Sequence, residues 1–415
     1  MFSLDDEYDN MVGDYEPSQC YACSDCVNDS FLEGLINKNK EKRVCDFCHK
    51  VSYCISVNEL LRRIEYYIGF YFEDAAESSP VEHGEYLFPT KDGRDLVNNL
   101  ISGMSPTLQE HIIDHICFLD QPFCEKTDRY GDLKTKHLIW SWNSFKEQIK
   151  HHERFFFWND STVYDDHEMP PYKILRIIAK SVNKWNLISC IKKDTVVYRA
   201  RLFEGFKISS QTMGAPPPDK APTNRMSPVG IPLFYGCSDP KTTIKEIKPV
   251  EKKKKYIIGK WLTKKDLLFL DLSKDLPWIS NFDSDNLNTQ LTFNFLRNFL
   301  SDVNKFIPKK KIELDYIPTQ VLSEYFRCIF KTKDQQTLAG IIYPSQKGNG
   351  LNYSFFFSKN ARYHHDKYED ILNLEKYSFY SKASPKLIWE SVCIEVDSGT
   401  AVEESLPPAN RKGRS

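Results

Sequence analysis

A mixed α+β fold in several parts is what this 415-residue sequence predicts, and three observations carry the prediction. Half of its twelve cysteines crowd into residues 20–54 at metal-ligand spacing. Residues 57–160 place apolar side chains mainly at helical intervals. From about residue 190 onward, strand-like and helix-like runs are partly segregated, which points to α+β. The length itself exceeds one average domain.

Composition excludes several classes of function. With 56 basic and 57 acidic residues the formal charge is -1, so no global field draws the chain to nucleic acid or to an anionic membrane. The runs EKKKKY at 251–256 and PKKK at 308–311 lack the interleaved aromatics of a single-strand binding surface and read as solvated. No nucleic acid partner is expected. No run of eighteen apolar residues occurs, and MFSLDDEYDNM is acidic where a secretory signal would be basic and then apolar; a cytoplasmic protein away from the membrane is expected.

In chain order, residues 1–19 are acidic and poor in aliphatics and read as a flexible arm. Residues 20–56 follow as a zinc-ribbon-like module. Cys23, Cys26, Cys45 and Cys48 form C-x2-C-x18-C-x2-C, in which two knuckles present four thiolates and close a tetrahedron around a structural zinc. Cys20, His49 and Cys54 remain alternatives for one ligand. The six later cysteines, Cys117, Cys124, Cys190, Cys237, Cys328 and Cys393, read as scattered buried thiols. A mostly helical segment spans 57–160, built on VNELLRRIEYYI, LQEHIIDHICFL and WSWNSFKEQI, and the polar WNDSTVYDDHEMPPY stretch ending in a Pro pair marks the boundary.

The second half begins with the helix PYKILRIIAKSVNKWNLISCI and the strand TVVYRARL. In CSDPKTTIKEIKP, Asp239 is placed as N-cap and Pro240 at the first helical position, so Glu246 falls on the helix's second turn, close to the strand end bearing Tyr235. Strands KYIIGKWL and LLFLDL, helices TFNFLRNFLSDVNKFI and TQVLSEYFRCIF, and strands AGIIYPS, NYSFFF and LIWESVCIEV complete a unit over 170–396. Residues 397–415, rich in Glu, Pro and small residues, are expected to be disordered.

Five residues carry the candidate chemistry. Arg199 shares one strand face with Arg201, two positions on. Arg225 lies in a Pro/Gly loop, Tyr235 ends an apolar strand, Glu246 follows on its helix, and Ser345 sits at a second strand-to-loop turn. Two guanidinium groups suit a diphosphate, an aromatic ring a flat heterocycle, a carboxylate a ribose diol or a developing sugar cation, and a serine a remaining hydroxyl or phosphate. Together they describe a dinucleotide site.

The YRAR strand, the APP loop, R-M-x-P-x-G-I-P, F-Y-x-x-x-D-P-x-T-x-x-x-E, PTQ-x-L-S-E-Y and GI-x-YPS occur in this order between about 190 and 370. This stretch resembles the RES domain family, whose members degrade NAD or transfer ADP-ribose from it on a mixed fold similar to the diphtheria-toxin type of ADP-ribosyltransferase. The resemblance implies that Glu246, Arg199 and Tyr235 are catalytic, that Arg199, Arg225, Tyr235 and Ser345 bind the dinucleotide, and that NAD is the substrate. It also implies a bacterial toxin or anti-phage effector, with phosphate or water as acceptor and an antitoxin or regulatory protein as partner; a homo-oligomer stays open. The front region looks like the N-terminal domain shared by some RES proteins and HEPN ribonucleases. A HEPN nuclease needs an Arg and, four to six residues on, a His on one helix, and the match from Arg43 to His49 straddles the second knuckle, so it is read as coincidence. Two alternatives remain at this point: ADP-ribosyl transfer to a protein or nucleic acid, and a zinc-dependent binding module with an inactive RES-like domain.

Overall fold

The structure is a computed structural model that describes residues 15–39, 42–83, 85–127, 133, 135–155, 171–247, 254–277, 279–356, 368–381 and 386–391. Most of the expected arm, nearly all of the boundary stretch, Cys393 and the whole of the expected tail lie outside the described residues. Helix and sheet are mixed, as the segregation of their patterns predicts.

In the front region, strands Tyr21–Cys23 and Lys42–Val44 flank Val51–Ser56 in an antiparallel sheet. The helix Val57–Tyr71 follows directly and buries Val57, Leu60, Leu61, Ile64 and Ile68 on one face, the spacing an amphipathic helix requires. Helices Gly93–Ile101 and Pro106–His115 pack beside it, and a small sheet of Phe72–Asp74, Pro122–Glu125 and Thr90–Asp92 interrupts the expected run of helix. These elements share one core, from Ala22 to Phe123, which also takes in Phe282 and Leu287 from far along the chain. Arg63 donates to the Phe282 carbonyl at 2.8 Å and the Tyr71 hydroxyl to Gln290 Oε1 at 3.0 Å, so polar contacts seal the same junction.

A second core shows what the helix His137–Glu147 packs against. Trp142, Phe145 and, one turn on, Ile149 are buried among Ile174, Leu175, Phe299 and Phe326 of the C-terminal half. The sequence grouped this helix with the front segment because nothing in its own pattern names the surface it covers. Its polar side is tied down as well: Asp302 accepts from Trp142 Nε1 at 2.9 Å, from Lys146 at 2.7 Å and from Lys305 at 2.6 Å.

The C-terminal sheet has nine strands: β1 (Ile188–Ile191), β2 (Val196–Leu202), β3 (Phe234–Cys237), β4 (Tyr256–Thr263), β5 (Leu267–Asp271), β6 (Gly340–Pro344), β7 (Leu351–Phe355), β8 (Leu372–Tyr380) and β9 (Glu390–Ser391). Their order is β9-β8-β4-β2-β3-β7-β6-β5-β1, with only β5 and β6 parallel. Strand β8, which the sequence reading did not find, pairs with β4 along its whole length. The reason is a bulge. Leu374 pairs with Trp261 and Lys376 with Lys260, so Glu375 is extra, and the apolar alternation Leu372, Leu374 resumes one residue out of step at Tyr377 and Phe379. Cys124 and Cys237 are buried as expected, whereas Cys117, Cys190 and Cys328 are exposed. Among the described residues no helix is long and apolar enough to cross a membrane.

Burial alone would raise the pKa of Asp302, but hydrogen bonds from Lys146, Lys305 and Trp142 overcome it and hold the value at about 2. The folded value lies below the unfolded one, so this stabilisation is complete above about pH 4 and is lost as the pH falls toward 2. Asp302→Asn is expected to cost roughly 2 kcal/mol in urea unfolding at pH 7 and to flatten the pH dependence in that acid window. An unchanged acid limb would remove Asp302 from the account. The packing of Trp142, Phe145 and Ile149 sets a second expectation: a fragment starting at residue 170 should expose one more vacated apolar face than a fragment starting at residue 135, and so should aggregate more, as size-exclusion chromatography would read. Equal behaviour of the two fragments would show the helix to be dispensable.

Candidate functional site

The site is built where the sheet opens. Strands β2 and β3 share one bridge, Tyr198 with Cys237, and then diverge. Past that point the Tyr235 carbonyl accepts Arg199 Nη1 at 2.7 Å in place of a strand partner, and the guanidinium lies 4.9 Å from the centre of the Phe234 ring. Arg199 Nε is buried with no partner. Desolvation, and after it the positive charge of Arg201, lowers the Arg199 pKa to about 10. The group remains a cation at neutral pH, and it is one that an incoming anion would stabilise. Arg201, on the same face, instead donates to the Thr212 carbonyl and ties β2 to the capped turn Ser209–Met213.

Glu246 ends the helix Pro240–Glu246, whose start is fixed as the sequence predicts: Asp239 accepts from the Thr242 amide at 2.8 Å and Pro240 occupies the first turn. Its Oε1 accepts from Ser345 Oγ at 2.6 Å and from Asn352 Nδ2 at 3.0 Å. Both donors are buried, each 9% exposed, and the cross-strand pair Tyr343–Asn352 sets their spacing. The Asn352 amide is oriented in turn by the Cys237 thiol, 3.2 Å from its Oδ1. The turn between β6 and β7 presses against the helix start. A Cβ on Gly350 would lie 2.1 Å from Asp239 Oδ2, so this position tolerates no side chain. Ser345 Oγ also accepts the amides of Lys347 and Gly348, both at 3.1 Å, and so holds the turn as well as the carboxylate.

Tyr235 lies on the same sheet face as Asn352 and Cys237, by its pairing with Ser354. Its hydroxyl meets Ser227 Oγ at 2.8 Å, and burial pushes its pKa well up, leaving it a neutral hydrogen-bonding phenol. Arg225 is held by a helix end: its Nη1 and Nη2 donate to the Val303 and Lys305 carbonyls, at 2.6 and 2.9 Å, where the helix Leu287–Asn304 ends. A cation at that pole satisfies carbonyls the helix leaves open. The Arg225 loop is clamped by the PTQ motif. Thr319 Oγ1 donates to the Arg225 carbonyl, and Gln320 Nε2 reaches Thr223 Oγ1, the Asn224 carbonyl and the Ser227 carbonyl.

The structure thus joins Glu246 and Ser345 directly, adds Asn352, and sets Arg199 and Tyr235 along the open seam next to them. Tyr343 is a residue the sequence reading missed. Its ring is buried, and its hydroxyl lies within electrostatic reach of Tyr235, Glu246, Arg225 and Cys237. The signal was present in GI-x-YPS, two positions before Ser345 and on the same face.

In the front region, Cys23, Cys26, Cys45 and Cys48 bring all four sulfurs within 4.8 Å of one another, the one such cluster among the described residues. Cys23 to Cys48 is 3.5 Å and Cys26 to Cys45 is 3.8 Å. A tetrahedral zinc with bonds of about 2.3 Å needs edges of about 3.8 Å, so the donor set fits. Burial alone would raise the Cys45 pKa, but the amides of Phe47, Cys23 and Cys48 point at its sulfur and lower it, favouring the thiolate. Cys54 is instead spent on the Arg43 and Ser52 carbonyls. Arg43 lies on a strand and His49 in a left-handed turn, so this pair is not the helical pair of a HEPN nuclease.

Residues 38–163 match the family HEPN/RES N-terminal domain 1, and residues 196–375 match the RES domain. No curated protein matches the chain. The crystal structure of the M. tuberculosis MbcT-MbcA toxin-antitoxin complex overlaps 50% of this chain and 93% of its own matched chain, at 12% identity and a TM-score of 0.30, a likeness too loose to bear on function. The six ordered motifs, the seam they build and the two family matches together make this chain a member of the RES domain family, with a HEPN/RES N-terminal domain ahead of the RES domain.

Proposed function

We propose that the RES domain binds NAD at the seam between β2 and β3 and cleaves the bond between nicotinamide and its ribose, on a fold related to the ADP-ribosyltransferases. The observation that carries this reading is the Glu246 carboxylate, pinned through one oxygen by Ser345 and Asn352. A fixed carboxylate is of most use where positive charge develops. As the glycosidic bond breaks, its electron pair leaves with nicotinamide, and the ribose takes up the charge as an oxocarbenium-like centre that Glu246 stabilises more than the ground state. The leaving group is already a pyridinium and departs neutral, so no general acid is needed. The acceptor oxygen, from phosphate or water, then bonds to the ribose carbon, and the proton it carries passes to solvent.

Arg199 supplies the anion site, through a partner-free Nε beside a desolvated cationic centre. Tyr235 offers its ring to the nicotinamide end. Ser345 also orients Glu246, and Arg225 also anchors its loop to the helix end. Cys23, Cys26, Cys45 and Cys48 would hold a structural zinc, which ties two knuckles together and leaves no open position for chemistry. The family supports a toxin or anti-phage effector that depletes NAD and is restrained by a partner protein.

The deciding experiment incubates the purified full chain with NAD, with and without phosphate, and measures free nicotinamide and the fate of the ADP-ribosyl group. Label transferred to protein or nucleic acid would identify a transferase, and no release of nicotinamide would sink the reading. Glu246→Gln keeps the size and hydrogen-bonding capacity of the side chain but removes the charge. It is expected to lower kcat at least about a hundredfold, or about 3 kcal/mol, at an unchanged unfolding temperature. Retained turnover would remove Glu246 from the mechanism. One zinc per chain is expected by elemental analysis, and Cys45→Ser with Cys48→Ser should lose it, since two thiolates cannot close the tetrahedron. Stoichiometric zinc in the double variant would show that the ligands are others.

A further inference from the structure

Ser345 and Asn352 occupy one oxygen of Glu246 and leave the other to a group the mechanism above does not use. Lys347 Nζ stands 3.4 Å from Glu246 Oε2 and donates to the Glu246 backbone carbonyl at 3.1 Å. The Lys347 amide is tied to Ser345 Oγ, so its backbone stays put while the side chain, 45% exposed, can swing into water. Two acceptors hold the ammonium, and only one is the reacting carboxylate. It can therefore release Oε2 while keeping the helix-end carbonyl, where a cation suits the dipole.

The charge on Lys347 works against the reaction. The substrate brings a positive pyridinium, and the transition state moves that charge onto the ribose; an ammonium on the free carboxylate oxygen opposes both. We propose that Lys347 is a displaceable counter-ion that masks the Glu246 carboxylate in the substrate-free enzyme and so restrains turnover. This rests on the reading of the site as an NAD-cleaving one. The restraint is modest in size, because a part-exposed ion pair is screened by water and salt. It also makes this turn a point where activity can be raised without touching the catalytic groups.

The test measures steady-state nicotinamide release from NAD by the full-length wild type, Lys347→Gln, Lys347→Ala and Lys347→Arg, at low salt and at about 0.3 M salt. Both neutral variants are expected to raise kcat/KM about threefold or more at low salt, with the gain shrinking at high salt and Lys347→Arg staying near wild type. Matched unfolding temperatures check that the fold is intact. If the neutral variants match the wild type, Lys347 masks nothing. If they raise KM instead, Lys347 holds an anionic part of the substrate, and the proposal is overturned while the NAD reading stands. Silence from every form, wild type included, sinks the NAD reading and this one with it.

Discussion

The hydrogen bonds from Ser345 and Asn352 to one oxygen of Glu246 are the constraint around which the RES domain is arranged. They join three segments that no local rule brings together: the end of the helix Pro240–Glu246, the last residue before the β6–β7 turn, and the second residue of β7. If the carboxylate were withdrawn, two buried donors would lose their acceptor, which costs more than the bonds themselves contribute. The details of this corner serve that arrangement. Asp239 fixes where the helix starts and therefore where Glu246 ends, and the cross-strand pair Tyr343–Asn352 sets the distance between the two donors. Gly350 lets the turn lie against the Asp239 carboxylate.

A second dependence runs along the helix Leu287–Asn304. Its start is gripped by the front core through Leu287 and by Tyr71, which bonds the Leu287 carbonyl at 3.2 Å and Gln290. Its end, about 27 Å away at helical rise, is capped by Arg225. The front region is therefore attached to a rigid element whose far pole orders the loop carrying Ser227, the partner of the Tyr235 hydroxyl. Strain on the front core would therefore reach that helix before it reached Glu246 or Arg199.

Much of the site was legible because its signals are local. Cysteine spacing, the Asp-Pro helix start and the strand bearing two arginines are each written within a few residues, and the family resemblance put them in order. What was not legible depends on distant partners. Arg225 looks the same in sequence whether or not a helix end some 80 positions away holds it, and only the fold says that the Val303 and Lys305 carbonyls take its two terminal nitrogens. Gln320 gave no sign that its amide clamps the loop at 223–227. Strand β8 was hidden by a single extra residue, Glu375, which shifts its alternation by one. That the helix at 137–147 packs against the C-terminal half was not legible, because an amphipathic pattern shows that a face is buried without showing against what.

The divergence of β2 from β3 ties these threads to chemistry. Had the two strands stayed paired, a backbone amide could have met the Tyr235 carbonyl in place of Arg199. Because they part after one bridge, a guanidinium substitutes for the missing ladder bond, loses hydration in doing so, and is left with an unsatisfied Nε. An unsatisfied buried cation is costly, and the cost falls when an anion arrives. The divergence of the strands therefore biases the seam toward a ligand with negative charge. Next to it, the Glu246 carboxylate favours positive charge. A ligand that answers both needs carries an anionic centre and a neighbouring centre that becomes cationic during reaction, and NAD, with its diphosphate and its nicotinamide ribose, is a molecule of that kind.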